Sequence, residues 1–108
     1  MATLRHNITS ITTKELLAKG DNVSNAKSIT FSNLDASNDA KVDLFIYDVV
    51  NNKSYYILKN ILIPTESTLV LGPGDNIAFD NSINGFSLRT QIDDGSTTAV
   101  NTDIIIKR

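Results

Sequence analysis

The stretch Lys41 to Asn60, KVDLFIYDVVNNKSYYILKN, constrains the fold more than any other. Val42, Leu44 and Ile46, with Asp48 in phase, fall on one face of an extended chain. Asp43, Phe45, Tyr47 and Val49 fall on the other, because strand side chains switch faces at every residue. Asn51-Asn52 supplies residues that tolerate positive φ, and Ser54 to Lys59 resumes an aromatic and β-branched run. The whole reads as one antiparallel hairpin. An isolated hairpin is marginal in water, so further strands must cover its apolar side.

Those strands are readable along the chain. Thr3 to Thr13 carries Leu4, Ile8 and Ile11 among Thr and Ser, which suits an edge strand, with residues 1–7 equally readable as a mobile arm. Lys14 to Lys19, KELLAK, is the one place where helix formers gather, and it reads as the end of the first strand or a single helical turn. Lys27 to Leu34 alternates with Ile29 and Phe31 inward. After the hairpin, Ile61-Leu62-Ile63 stops at Pro64, which cannot donate to a ladder and marks an edge or a strand end. Ser67 to Leu71 and Asn76 to Asp80 are two more short strands. Asn84-Gly85 is the strongest type I′ turn signal, leading into Phe86 to Ile92 with Phe86, Leu88, Thr90 and Ile92 in phase. Thr98 to Lys107 closes the chain with Val100, Ile104 and Ile106 on one face.

About eight strands at this spacing, with no long helix to serve as a crossover, predict an all-β, antiparallel β-sandwich as a single domain over residues 1–108. Periodicity leaves jelly-roll and immunoglobulin-like topologies both open. Gly20-Asp21-Asn22-Val23 and Gly74-Asp75-Asn76-Ile77 look alike, and shared turn chemistry accounts for the match.

Composition narrows the function. The 108 residues contain no cysteine, so disulfide staples and thiolate metal sites are unavailable, and maturation in a reducing cytosol or support from partners is expected. A formal net charge of −2, without a basic stripe, argues against nucleic acid. No stretch approaches the roughly 18–20 apolar residues of a membrane-spanning helix, and the first residues lack the apolar region of a secretory signal.

Reactive chemistry is sparse. His6 is the only histidine, and it lies in an edge segment without the scaffold that orients a catalytic base. Asp93 and Asp94, or Asp35 and Asp39, could approach a calcium ion, but neither stretch has the spacing that wraps one ion in a loop. In Gly72-Pro73-Gly74, Pro73 has no N–H and no GK[ST] follows, so the stretch cannot build the anion cradle of a phosphate loop and reads as a turn. Tyr47, Tyr55 and Tyr56 cluster on the hairpin as a candidate platform for a sugar ring, although adjacent Tyr55 and Tyr56 must face opposite ways. The expectation is a non-enzymatic chain without a cofactor.

Ile29-Thr30-Phe31-Ser32-Asn33 precedes Val42-Asp43-Leu44-Phe45-Ile46-Tyr47. Then come Tyr55-Tyr56-Ile57-Leu58-Lys59-Asn60, Ile63-Pro64, Ser67-Thr68-Leu69-Val70-Leu71 and Gly74-Asp75-Asn76-Ile77. In this order the passages resemble those of small β-sandwich virion proteins of tailed bacteriophages, and the resemblance covers about residues 29–79. It implies a virion location, no catalysis, and a role as a capsid decoration (cement) protein or a tail- or fibre-associated component, often as a homo-oligomer bound to other virion proteins. A carbohydrate- or receptor-binding module is the competing reading. Edge strands are the natural contact elements. Thr3 to Thr13 and Thr98 to Arg108 are therefore the candidate contact strands, and Leu4, Arg5, His6, Ile8, Tyr47, Tyr55, Ile104 and Ile106 the candidate interface residues.

Overall fold

A computed structural model describes residues 3–20, 27–72 and 79–107. Eight strands lie among the described residues: β1 (Thr3–Ile8), β2 (Lys14–Leu17), β3 (Ser28–Asn33), β4 (Ala40–Asp48), β5 (Lys53–Ile63), β6 (Thr68–Leu71), β7 (Ser87–Asp93) and β8 (Thr102–Lys107). They form two antiparallel four-stranded sheets, ordered β1-β8-β3-β6 and β2-β7-β4-β5. The pairs β1/β8, β2/β7, β3/β6 and β4/β5 are those of a chain doubled at its middle into one long ribbon. Rolling that ribbon adds the β3/β8 and β4/β7 ladders. This is the jelly-roll order, which separates the two topologies that periodicity left open.

The core follows the alternation. Ile29 and Phe31 of β3, Val42 and Leu44 of β4, Leu88 and Ile92 of β7, and Ile104 and Ile106 of β8 are fully buried between the sheets. Each such side chain contributes about 1.5–3 kcal/mol by leaving water. Thr90 joins them by donating its hydroxyl to the Asp43 carbonyl at 2.7 Å. Among the described residues, every buried side-chain nitrogen or oxygen has a hydrogen-bond partner.

Two buried asparagines act as clamps, Asn33 between the two sheets and Asn81 between the chain segments that flank β2 and β7. At one end, Asn33 closes β3 by donating to the carbonyls of Asn38 (3.0 Å), Ile63 (3.1 Å) and Pro64 (3.3 Å), and it accepts from the Asp35 N–H. Elsewhere, Asn81 donates to the carbonyls of Ala18 and Phe86, both at 2.9 Å. Asn33 ends a strand and Asn81 lies in a loop, both places where asparagine reads as turn chemistry, so their role as clamps is invisible to periodicity.

Several expectations are corrected. Lys14–Leu17 is a strand of its own, paired with β7 in the sheet opposite β1, so tertiary pairing overrides its helix propensity. Thr3–Ile8 is an edge strand paired residue for residue with β8, and it stops short of Lys14. Ile61 to Ile63 continues β5 past a bulge at Asn60 (φ 56°), whose N–H donates to the Asp43 carboxylate at 2.7 Å. The register slips there and again between Leu44 and Phe45, so that Tyr56 faces Phe45 yet Leu58 faces Leu44. One-residue slips flip a strand's faces, so simple alternation fails along β5. Among the described residues Asn84-Gly85 joins no pair of strands, and neither residue has positive φ. Gly85 is needed for close approach instead: a Cβ there would overlap the Asp80 carbonyl oxygen. Phe79 and Asp80 are not in a strand, and the rest of the Asn76 to Asp80 expectation lies outside the described residues, as do most of both Gly-Asp-Asn stretches.

Candidate interaction surfaces

The roll leaves four strands at sheet edges: β1 and β6 in one sheet, β2 and β5 in the other. An edge strand presents unpaired N–H and C=O groups to any neighbouring chain unless it is short, bulged or charged. β2 and β6 have four residues each. β2 also carries a register irregularity at Leu16, and the Leu16 carbonyl accepts from His6 Nε2 at 3.1 Å. β5 is bulged and carries Lys53 and Lys59. Only β1 offers six residues in unbroken register.

The candidate interface residues divide accordingly. Leu4, Arg5, His6, Ile8, Ile104 and Ile106 meet in the β1/β8 ladder, where Leu4 faces Ile106, Arg5 faces Ile105 and His6 faces Ile104. Arg5 points outward and is exposed, whereas Leu4 packs against the core and Ile8 is buried. Ile104 and Ile106 are 0% exposed, so they belong to the core and offer no side-chain surface. β8 lies between β1 and β3, which corrects its expected role as an edge contact strand. A single strand's pattern does not say which neighbours flank it.

His6 works as a tie between layers. A carbonyl only accepts, so Nε2 carries the proton in the bond to Leu16, and the ring links β1 of one sheet to β2 of the other. Burial lowers its pKa from the ordinary value, aided by the positive charge of Lys14 and opposed by the Leu16 bond.

The outer face of the β1-β8-β3-β6 sheet is laid out in rows set by the register. One row runs Arg5, Ile105, Thr30, Val70, and the next runs Asn7, Asp103, Ser32, Thr68. Asn7 donates its carboxamide N–H groups to the side chains of Asn101 (2.8 Å) and Asp103 (2.7 Å). Ser32 and Thr68 hydroxyls share a bond at 3.1 Å. An open depression of about 330 Å³ lies beside β1, lined by Arg5, His6, Asn7, Asp103, Ile104 and Ile105. Thr30, Ile105 and Val70 were missed by sequence reasoning, since only the pairing register aligns them with Arg5.

Tyr47 and Tyr55 lie in the other sheet, on β4 and β5. The Arg89 guanidinium carbon sits 4.1 Å from the Tyr47 ring centroid, and Arg89 also reaches Glu15 at 3.4 Å. Lys59 Nζ lies 4.4 Å above Tyr56, whose ring also packs on Phe45 at 5.1 Å. Lys53 Nζ lies 5.4 Å above Tyr55, which meets Phe86 edge-on at 6.0 Å. Neither Tyr55 nor Tyr56 is core, at 46% and 49% exposed, because β5 is an edge strand. The protein's own cations thus occupy a face of each ring, where a sugar would stack.

The acidic turns hold their own backbone. Asp35 accepts from the N–H groups of Ser37 and Asn38, which lower its pKa. Asp94 accepts from the Ser96 hydroxyl and N–H and from the Thr98 N–H, with the same effect. Asp39 accepts from the Thr65 N–H, and Asp93 from that of Gly95. Among the described residues, three or more acidic, His or Cys side chains nowhere converge as a metal-binding group.

No protein-family model matches the chain, and no curated sequence matches it.

Proposed function

We propose that this chain is a non-enzymatic structural protein of a bacteriophage virion, a capsid decoration protein that stabilises the particle through edge-strand contacts between oligomerised copies and their neighbours. The single observation that carries the contact mode is β1, a six-residue edge without bulge, proline or glycine, whose outward residues are Thr3, Arg5 and Asn7. Its free N–H and C=O groups can extend a neighbour's sheet. The virion setting is supported by the order of the passages between Ile29 and Phe79. Repeated weak contacts on a symmetric shell add through avidity, so each edge need contribute only modestly.

The test is co-sedimentation of the purified chain with particles from the source that encodes it, stripped of this protein. Thr3→Lys with Asn7→Lys adds charge to two exposed positions flanking Arg5 and leaves the core untouched. We expect the native chain to sediment with particles and the double variant to lose at least tenfold in affinity. Equal binding by both chains would overturn the β1 mode, and binding by neither would overturn the virion assignment.

A further inference from the structure

We infer that β1 pairs antiparallel with β1 of a second copy about a two-fold axis, in the register that sets His6 opposite His6 and Arg5 opposite Asn7. The inference rests on the proposed use of the β1 edge and names its partner.

A two-fold axis normal to the sheet keeps each copy's inner face on the inner side, so only residues of the same face can meet across it. Within Thr3–Ile8, two such registers pair five residues, one centred on Arg5 and one on His6. Centring on Leu4 or Asn7 pairs only three.

The Arg5-centred register sets two permanent charges directly opposite one another, which destabilises a strand pair. It also sets each His6 ring against Leu4. The His6-centred register sets Leu4 against Ile8 twice on the core side, continuing the apolar layer across the junction. Its axial histidines are compatible with pairing, because burial favours the neutral ring.

On the outer face the same register is complementary in charge and in hydrogen bonding. Both carboxamide N–H groups of Asn7 are spent on Asn101 and Asp103, which turns its Oδ1 into an acceptor for a neighbour. The Arg5 guanidinium of the second copy is the donor placed opposite it. Across the junction the row then reads Asp103, Asn7, Arg5, Ile105, with the Asp103 carboxylate one strand beyond Asn7 and within reach of an arginine's long stem. The pairing would join the two four-stranded sheets into one continuous sheet of twice that width.

The absence of native cysteine makes the register directly measurable. Arg5 and Asn7 are both exposed, so Arg5→Cys and Asn7→Cys preserve the core. Directly opposite residues bring Cβ atoms to about 4.5–5.5 Å, close enough for disulfide formation after small adjustment. We expect the native chain to double its mass with concentration in sedimentation velocity. Under mild oxidation, a mixture of the Arg5→Cys and Asn7→Cys chains should give a mixed disulfide dimer, while each alone gives little. A mixed disulfide between Thr3→Cys and Asn7→Cys chains, both of which keep Arg5, formed in preference to the one between Arg5→Cys and Asn7→Cys, would overturn the register, because pairing centred on Arg5 sets Thr3 opposite Asn7. Hydrogen exchange supplies a second readout: alternate amides of β1 should slow as concentration rises. A chain that stays monomeric with unchanged β1 exchange overturns self-pairing. In that case, particle binding lost on Thr3→Lys with Asn7→Lys would still support the proposed function with a different partner strand.

Discussion

Asn33 donates its side-chain amide to the Ile63 carbonyl at 3.1 Å, joining the last residue of β3 to the last residue of β5 in the opposite sheet. The same carboxamide serves the carbonyls of Asn38 and Pro64, so one buried side chain holds three segments. Asn33→Ala would leave these acceptors without their donor, at a cost of about 1–3 kcal/mol for each one that stays buried and unsatisfied. Urea unfolding should show a midpoint lowered by at least the equivalent of one such bond. A midpoint within about 0.5 kcal/mol of the native chain, the range of an ordinary surface change, would contradict the clamp.

Glycine substitution separates close approach from backbone conformation. An Ala Cβ at position 85 would lie 2.8 Å from the Asp80 carbonyl carbon and nearer still to its oxygen. The Phe86 N–H donates to that same oxygen at 2.8 Å, so relieving the overlap opens the loop. Gly95 has open surroundings but φ +96°, so Ala there meets only backbone strain, about 1–2 kcal/mol. Gly85→Ala should therefore be the more damaging of the two in urea unfolding. The reverse order would show that the Asp80 carbonyl yields easily.

Stability should fall in two steps as the solution is acidified. His6 has a folded-state pKa below its unfolded value, so the unfolded chain takes up its proton first. Its contribution is full above about pH 6.5, the unfolded value, and is lost as pH falls from there through the lower folded value. Asp35, Asp48, Asp80 and Asp94 all have lowered values, each through hydrogen bonds within its own turn. Their contribution is present above about pH 4 and is lost as pH falls through their folded values below that. His6→Gln should abolish the upper step in urea midpoints measured between pH 7.5 and 5 and leave the lower one. Persistence of the upper step would place its origin elsewhere, since His6 is the only histidine.

Much of this architecture was legible because a buried strand must alternate. Ile29 and Phe31, Val42 and Leu44, Leu88, Thr90 and Ile92, and Val100, Ile104 and Ile106 all lie where their spacing puts them. Legibility ended where information comes from a partner strand. KELL favours a helix locally and becomes β2 because β7 offers a ladder, and β5 slips register because Asp43 captures the Asn60 N–H. The same limit explains the candidate surface. Arg5 and Tyr55 could be read as exposed, but Ile104 and Ile106 sat in a terminal stretch that suggested an edge. Only the pairing of β8 with both β1 and β3 reveals it as interior.

The most direct test of the central claim is an electron-microscopy map of assembled particles at a resolution that traces strands. The expected result is this jelly roll on the particle surface, with β1 continuing the sheet of a neighbouring chain and the Tyr47 and Tyr56 face uninvolved. Particles that lack the chain, or that hold it by the tyrosine face with β1 bare to solvent, would contradict it.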